Sequence, residues 1–149
     1  MLPARAALSE LLLELDGVQQ DPTWHPEGDA LFHSLQVFGL ARQDSSDPEL
    51  WAAALLHDVG KAHPGDHEHI GAQLLAPWMP PRVCWLVSHH LDLLRSPAAT
   101  RRKHRMDARL WDLEQLRRWD KAGRDPMAWV CDVEHAVESI LEVARPVRP

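Results

Sequence analysis

The 149-residue chain contains no tyrosine, only two phenylalanines and only two cysteines. β-Branched residues are few, and no stretch alternates between apolar and polar residues, so the usual signals of β-strands are nearly absent. Cys84 and Cys131 form no CxxC pair, which favours reduced thiols in a cytosolic protein. No apolar run is long enough for a membrane span, and residues 1–16 lack the apolar run of a signal peptide. We therefore expect a soluble, cytoplasmic protein that does not associate with membranes.

Positive charge is also scarce relative to negative charge. Sixteen lysines and arginines face 22 acidic residues, which gives a formal net charge of −6. This balance predicts no extended nucleic-acid surface. The one basic cluster, RRKHR at residues 101–105, is short and typical of a solvated loop. With 45% hydrophobic and 26% charged residues the chain can bury a core. We therefore expect one domain over residues 1–149. The sequence does not indicate the oligomeric state.

Helix-forming residues, chiefly Ala, Leu, Glu, Arg and Gln, are abundant. Asp29 and Asp47 are placed as N-caps, and Pro48 fits the first turn of the helix that follows Asp47. Residues 18–29 and 92–106 are predicted to be irregular, and RPVRP at residues 145–149 to be a frayed tail. These signals predict a compact all-α bundle of about seven helices, near residues 3–15, 29–42, 47–58, 67–76, 80–91, 107–122 and 126–144.

The sequence contains ten histidines, and several of them follow apolar helical runs. In WAAALLHDVGKAHPGDHEHIG, residues 51–71, an apolar helix ends in His57 and Asp58. A carboxylate at a helix C-terminus faces the negative end of the helix dipole, so Asp58 requires a positive partner, which a cation would supply. His89 and His90 likewise follow the apolar run VCWLV. The other members of this set of seven candidate ligands are His33, His67 and Asp120, each on a further predicted helix.

Each of these residues also has an ordinary structural interpretation. His33 is compatible with a hydrogen-bonded histidine in the core, and the end of the third helix with a solvated terminus. Asp120 has the helical spacing to pair with Arg117 or Arg124. A metal site in the bundle core instead accounts for all seven residues together. Imidazole nitrogens and carboxylate oxygens suit Fe, Mn, Ni, Co or Zn, and seven ligands suit two ions bridged by Asp58.

The candidate ligands match a known pattern. His33, the pair His57–Asp58 and Asp120, together with ALLHDVGK at residues 54–61, resemble the pattern of the HD superfamily of metal-dependent phosphohydrolases. HEHIGAQLL from residue 67 and SHHL from residue 88 resemble the additional histidine segments of its two-metal members. WDKAG at residues 119–123 resembles its terminal Asp segment, and the similarity covers residues 22–125.

A narrower resemblance lies in DPTWHPEGDALFHSLQV, residues 21–37, of which WHPEGD is the most specific part. This segment resembles the start of the HD domain of bacterial CCA-adding tRNA nucleotidyltransferases. Those enzymes carry a separate catalytic head, for which this chain has no room, so we expect a stand-alone HD domain. In that family the HD domain is associated with phosphatase, 2′-nucleotidase and 2′,3′-cyclic phosphodiesterase activity. The resemblance therefore implies a hydrolase that uses one or two divalent transition metal ions and acts on a small phosphoester of nucleotide type.

The resemblance also implies roles for individual residues. The ligands of a first ion would be His33, His57, Asp58 and Asp120, and those of a second His67, His89 and His90, with Asp58 as the bridge. Asp58 and Lys61 are expected to be catalytic. Lys61 would contact the phosphate or orient Asp58. A lysine at a helix end can also simply face solvent, where the helix dipole favours its charge. The expected substrate-binding residues are Lys61, Arg124 and His25. Two other functions remain open, a di-iron oxygenase of the same superfamily and a non-catalytic module that binds a metal or a nucleotide.

Overall fold

A computed structural model describes residues 3–144, which form helices and connecting segments, with one isolated β-bridge between Gln19 and Asp29. The predicted all-α class is confirmed. No helix in this described range combines the length and the apolarity needed to cross a membrane. The predicted tail, residues 145–149, lies outside the described residues. The α-helices are α1 (Ala4–Leu13), α2 (Ala30–Asp44), α3 (Pro48–Leu56), α4 (His67–Leu75), α5 (Pro81–His89), α6 (Asp92–Arg95), α7 (Pro97–Lys103), α8 (Ala108–Ala122) and α9 (Val133–Ile140), and 3-10 helices span Val59–Ala62 and Leu141–Val143.

Helix α3 lies at the centre of the bundle, in contact with α2, α5, α8 and α9. After its first turn it is apolar on all sides, and residues 52–56 are fully buried. A helix that is apolar all round is stable in water only when other helices surround it. The small side chains of AAA at residues 52–54 let those helices approach closely. The end of α3 therefore carries His57 and Asp58 into the protein interior, where both are buried.

Side-chain caps fix the helix starts that the sequence predicted. Asp29 accepts a hydrogen bond from the backbone N–H of Phe32 at the start of α2. Asp47 does the same for the backbone N–H of Glu49 at the start of α3. These contacts are local in sequence, which is why they can be predicted without knowledge of the fold. The first five predicted helices and the sixth, now α8, begin and end within two residues of the observed bounds.

Residues 92–106, predicted as an irregular loop, instead contain the short helices α6 and α7, so that prediction is wrong. A proline in the interior of a helix breaks it, but Pro97 occupies the first turn of α7, where no backbone N–H is needed for a helical hydrogen bond. Leu93 on α6 and Thr100 on α7 are buried and anchor the segment. The basic cluster therefore lies at the end of a helix, with Arg101, Arg102 and Lys103 in its last turn.

The last predicted helix, residues 126–144, is too long. Residues 126–132 are not helical, and α9 begins at Val133. Asp132 is its N-cap, because the Asp132 carboxylate accepts a hydrogen bond from the backbone N–H of His135. The side chain of Gln36 on α2 binds both the N–H and the carbonyl of Asp125. These two hydrogen bonds tie the segment between α8 and α9 to α2.

Candidate metal centre

Six of the seven predicted ligands converge at the inner end of α3. Nε2 of His33 lies 2.8 Å from Oδ1 of Asp120 and 3.8 Å from Oδ2 of Asp58. Nε2 of His57 lies 3.0 Å from Oδ2 of Asp58 and 3.4 Å from Oδ1 of Asp120. The six residues come from five helices: His33 from α2, His57 and Asp58 from the end of α3, His67 from α4, His90 from the end of α5, and Asp120 from α8.

Hydrogen bonds from Nδ1 fix the orientation of three imidazoles. His57 and His90 donate Nδ1–H to the carbonyls of Ala54 and Val87, at 2.8 and 2.7 Å, and so satisfy carbonyls near the ends of their own helices. His33 donates Nδ1–H to the carbonyl of Gly123 at 2.7 Å. A carbonyl can only accept, so Nδ1 carries the hydrogen and Nε2 presents a lone pair when the ring is neutral. Metal-binding histidines in proteins are commonly held in this way.

The carboxylate of Asp58 lies between two groups of imidazoles. Oδ2 faces His33 and His57, at the distances given above. Oδ1 faces Nε2 of His67 at 3.3 Å and Nε2 of His90 at 3.5 Å. Two sets of ligand atoms in this cluster are compact enough to hold a cation, namely His33, His57 and Asp120, and His57, Asp58 and His90. The geometry is compatible with one ion, or with two ions on either side of Asp58.

The donor set fits a metal ion. Nε2 of His57 and Nε2 of His67 are buried and have no hydrogen-bond partner among residues 3–144. Buried polar atoms without a partner are rare in folded proteins, because each loses its bond to water. A divalent cation would accept these lone pairs, and imidazole with carboxylate is a set that Zn, Fe, Mn, Ni and Co bind.

The pKa values of these residues reveal a demand for positive charge. Burial acts to lower the pKa of His57, but Asp58 and Asp120 outweigh it and raise that pKa to about 10. Burial acts to raise the pKa of Asp58, but His57 and Lys61 hold it well below its usual range. The close approach of His33 and His57 likewise holds the pKa of Asp120 well below its usual range against the effect of burial. Without a metal, a proton on His57 supplies the positive charge that the two carboxylates require.

His89 is the predicted ligand that the structure places away from the cluster. Its ring stacks on Trp85 with 4.4 Å between centroids, and its Nδ1 lies 2.8 Å from Oδ2 of Asp92. His89 ends α5 and His90 keeps the helical conformation as its C-cap, so the two side chains point about 100° apart, and only His90 faces the cluster. His90 follows the buried Val87 by three residues and therefore continues the buried face of α5.

Glu27 is a buried acid beside the cluster that sequence reasoning missed. Its Oε1 lies 2.7 Å from Nδ1 of His25 and 3.3 Å from Nδ1 of His33. Its Oε2 is buried without a hydrogen-bond partner in the described range, and these three residues form a further group that could hold a metal. Glu27 lies in WHPEGD, but Pro26 and Gly28 on either side indicate an exposed turn. Only the packing of this segment against α2 places the carboxylate inside.

A cavity of about 880 Å³ opens beside the cluster, and the three predicted substrate-binding residues, Lys61, Arg124 and His25, line it. Nζ of Lys61 lies 3.3 Å from Oδ2 of Asp58 and also donates to the side chain of Gln20. Lys61 therefore joins the cavity to the cluster, rather than simply facing solvent. Nε of Arg124 is buried and lacks a hydrogen-bond partner within the described residues.

The same cavity is lined by residues that were not assigned to it from the sequence, among them Trp24, Arg117 and Lys121. Arg117 also approaches Asp120, with 3.8 Å between Nη1 and Oδ2, so the helical pairing of these residues coexists with the cluster. Burial and the neighbouring Arg124 lower the pKa of Arg117. Helical spacing is the signal that could have identified both residues, since Arg117 lies three positions before Asp120 and Lys121 lies four positions after Arg117.

Comparisons with known proteins agree with this geometry. The Multifunctional CCA protein of Halorhodospira halophila is 43% identical over 83 residues, which cover 48% of this chain and 20% of that protein. The Multifunctional CCA protein of Nitrosococcus oceani is 39% identical over 71 residues, which cover 46% and 18%. The Bifunctional uridylyltransferase/uridylyl-removing enzyme of Gluconobacter oxydans is 44% identical over 74 residues, which cover 44% and 8%. The chain thus spans no more than a fifth of the length of these relatives.

The family model described as HD domain matches residues 31–138. This range includes all six residues that converge at the end of α3, from His33 to Asp120. It also covers α2 through most of α9, the helices that surround the cluster. On this match, which extends over most of the sequence, the chain belongs to the HD domain family.

Proposed function

We propose that this protein is a metal-dependent phosphohydrolase that cleaves a nucleotide-type phosphomonoester or a 2′,3′-cyclic phosphodiester. The observation that carries the proposal is the convergence of six imidazole and carboxylate side chains beside a cavity lined by cationic side chains. Imidazole and carboxylate ligands favour a divalent transition metal ion, and lysine and arginine favour phosphate. The two chemistries meet at Asp58 and Lys61, which are 3.3 Å apart.

The proposed ligands are His33, His57, Asp58, His67, His90 and Asp120. A bound divalent ion would supply Lewis acidity and lower the pKa of a water molecule, so that a nucleophile forms near neutral pH. The Nδ1 hydrogen bonds hold three of the imidazoles with their lone pairs directed inward, so little reorganisation is needed on binding. Asp58 directs one oxygen to each group of imidazoles and is the proposed bridge if two ions bind.

Lys61 is the proposed phosphate contact. Its Nζ can donate to a phosphate oxygen while it remains close to Asp58, which places the phosphate beside the ligands. Arg124 and Arg117 add positive charge to the same cavity. Charge on the phosphate oxygens is stabilised by such fixed cations as the ester bond breaks. Burial lowers the pKa of His25, so this ring is neutral near pH 7 and offers a hydrogen bond without adding charge.

A nucleotide fits this cavity better than a simple phosphate does. Trp24 lines the cavity and is 64% exposed, so its indole face is available for stacking on a base. The name of one relative, a uridylyl-removing enzyme, refers to the release of a nucleotidyl group, which is consistent with a substrate of this kind. The proposed substrate class therefore combines a phosphoester at the metal site with a base beside Trp24.

The proposal is tested with the Asp58→Asn variant. Asparagine keeps the size of the side chain but removes the charge between the two groups of imidazoles. Asp16→Asn, which changes an exposed acid outside the cluster, is the matched control. Metal content is measured by elemental analysis, and turnover with a panel of 2′-, 3′- and 5′-nucleoside monophosphates and 2′,3′-cyclic nucleotides. We expect Asp58→Asn to lower kcat/KM by at least about 100-fold and to reduce bound metal, and Asp16→Asn to change neither.

Full activity and full metal content in Asp58→Asn would contradict the assignment. Turnover that disappears under anaerobic conditions would indicate oxidative chemistry at the same ligands. A metal-loaded protein that cleaves no member of the panel would indicate a binding module instead.

A further inference from the structure

We propose that the substrate is a short single-stranded oligonucleotide, whose terminal phosphoester lies at the metal site and whose next phosphate lies in a second groove. This inference rests on the proposed function, because the metal site cleaves the end of the bound strand. The outer groove has a volume of about 620 Å³ and is lined from α6, α7 and α8. Its cationic side chains are Arg101, Arg117, Arg118 and Lys121.

The outer groove is continuous with the cavity beside the metal site. Leu94, Arg117 and Lys121 line both. The inner cavity, about 880 Å³, already lies near the upper end of the range of roughly 300–1,000 Å³ that is typical of small-molecule sites. A mononucleotide therefore does not need the outer groove. A ligand that occupies both is longer than one nucleotide.

The charge in the two cavities is opposite in sign to the net charge of the chain. Their lining contains six cationic and two acidic side chains, whereas the whole chain carries −6. The cations are Lys61, Arg101, Arg117, Arg118, Lys121 and Arg124, and the acids are Asp21 and Glu114. Exposed charges more than about 8 Å apart are largely screened at physiological ionic strength, so a ligand in the groove responds to the local charge. The net charge argues against an extended nucleic-acid surface, but it does not describe this groove.

The protein neutralises these cations only in part. Nε of Arg101 lies 3.8 Å from Glu114, and Nη1 of Arg117 lies 3.8 Å from Asp120, both beyond hydrogen-bond distance. Lys121 takes part in no ion pair within residues 3–144, in contrast to its neighbours on α8. Positive charge therefore remains available to phosphate groups of a ligand.

Apolar side chains are interspersed with the cations. Leu94 lies where the two cavities meet and is 55% exposed, and Trp24 lines the inner cavity. Surfaces that bind single-stranded nucleic acids combine cations for the phosphates with exposed rings on which bases stack. Inorganic polyphosphate has no base for the indole of Trp24, and the bases of a duplex are already stacked on one another. A single strand satisfies both features of the surface.

The experiment uses the metal-loaded full chain and two substrates with the same reactive end. One is uridine 2′,3′-cyclic phosphate, and the other is a pentauridylate that ends in a 2′,3′-cyclic phosphate. The test variant is Arg101→Gln/Arg118→Gln. The matched control is Arg102→Gln/Arg105→Gln, which removes two exposed arginines from the same region but outside both cavities.

We expect Arg101→Gln/Arg118→Gln to lower the ratio of kcat/KM for the pentauridylate to that for the mononucleotide by about 10-fold, and the control to leave the ratio within about two-fold. The slope of log KM for the pentauridylate against log KCl concentration should decrease by about 0.7, since the outer groove holds one phosphate and each phosphate contact on a single strand contributes about 0.7. If the double variant does not fold, Arg101→Gln and Arg102→Gln form the same comparison with exposed residues.

An unchanged ratio and slope in Arg101→Gln/Arg118→Gln would overturn the inference and leave the hydrolase intact. If neither substrate is cleaved, the protein does not act on a 2′,3′-cyclic end; the panel of nucleotides then decides the proposed function, and binding decides the inference by itself. Fluorescence anisotropy of a 5′-labelled pentauridylate should then show weaker binding to Arg101→Gln/Arg118→Gln than to the control. Equal binding to the two variants would overturn it.

Discussion

In the absence of a bound metal ion, the stability of this protein should depend strongly on pH between 7.5 and 9.0. Burial acts to lower the pKa of His57, but Asp58 and Asp120 raise it from 6.5 to about 10 in the folded protein. At a pH between 6.5 and about 10, His57 is protonated in the folded protein and neutral in the unfolded chain, so the folded protein holds one proton more. The stability that this proton contributes is fully present below pH 6.5 and is lost as the pH rises towards 10.

The magnitude follows from the difference of one proton. The free energy of unfolding should fall by about 1.4 kcal/mol per pH unit, or about 2 kcal/mol from pH 7.5 to 9.0. Burial lowers the pKa of His25, which is neutral throughout this window. Burial raises the pKa of Cys131 above 9.0, so this thiol adds to the loss of stability only at the upper edge of the window. The lowered pKa values of Asp58 and Asp120 affect stability only as the pH falls into the acid range.

The measurement is urea-induced unfolding of chelator-treated protein at several pH values across the window. His57→Gln should remove the dependence, and His135→Gln, which changes an exposed imidazole outside the cluster, should keep it. A saturating divalent metal should also remove the dependence, because it takes the place of the proton. A change below about 0.5 kcal/mol in wild-type protein, or an unchanged slope in His57→Gln, would refute the reasoning.

Two further predictions concern packing and substrate affinity. A Cβ atom at Gly60 would lie 2.0 Å from the backbone carbonyl oxygen of His67, so Gly60→Ala should lower the free energy of unfolding by about 3 kcal/mol and reduce metal affinity. At Gly39 nothing lies within 4 Å of an added Cβ atom, so the control Gly39→Ala should be neutral or slightly stabilising in the same urea titration. Equal stability of the two variants would contradict this prediction. Trp24→Ala should raise KM for uridine 2′,3′-cyclic phosphate by the equivalent of about 1–3 kcal/mol, because the base loses its stacking partner. Hydrolysis of glycerol 2-phosphate, which has no base, should change little. An equal effect on both substrates would exclude a base at this position.

Local interactions account for the parts of the fold that the sequence predicted. Asp29 and Asp47 cap helices through contacts with residues two or three positions away, so their roles can be identified without tertiary information. Pro97 shows the limit of the same reasoning, because a proline marks a helix start as well as a helix end. Which of these it marks depends on whether neighbours such as Leu93 are buried by the rest of the bundle.

Side-chain direction could not be obtained in this way. His89 and His90 are chemically identical and adjacent, and the continuous apolar run before them does not identify the buried face of α5. The rotation of α5 is set by the packing of Val83, Leu86 and Val87 against its neighbours, and it directs His90 inward. His89 is directed onto Trp85 instead.

The sequence by itself determined the helical class, the helix caps and the set of imidazoles and carboxylates from which a metal centre could be built. Only the tertiary structure decided which members meet, how the two oxygens of Asp58 are shared, that Glu27 is buried beside them, and that the cations of α8 line one continuous groove. The physical reason is that helix formation and capping depend on neighbours a few residues away. Convergence and local charge depend on how helices distant in sequence rotate and pack around α3.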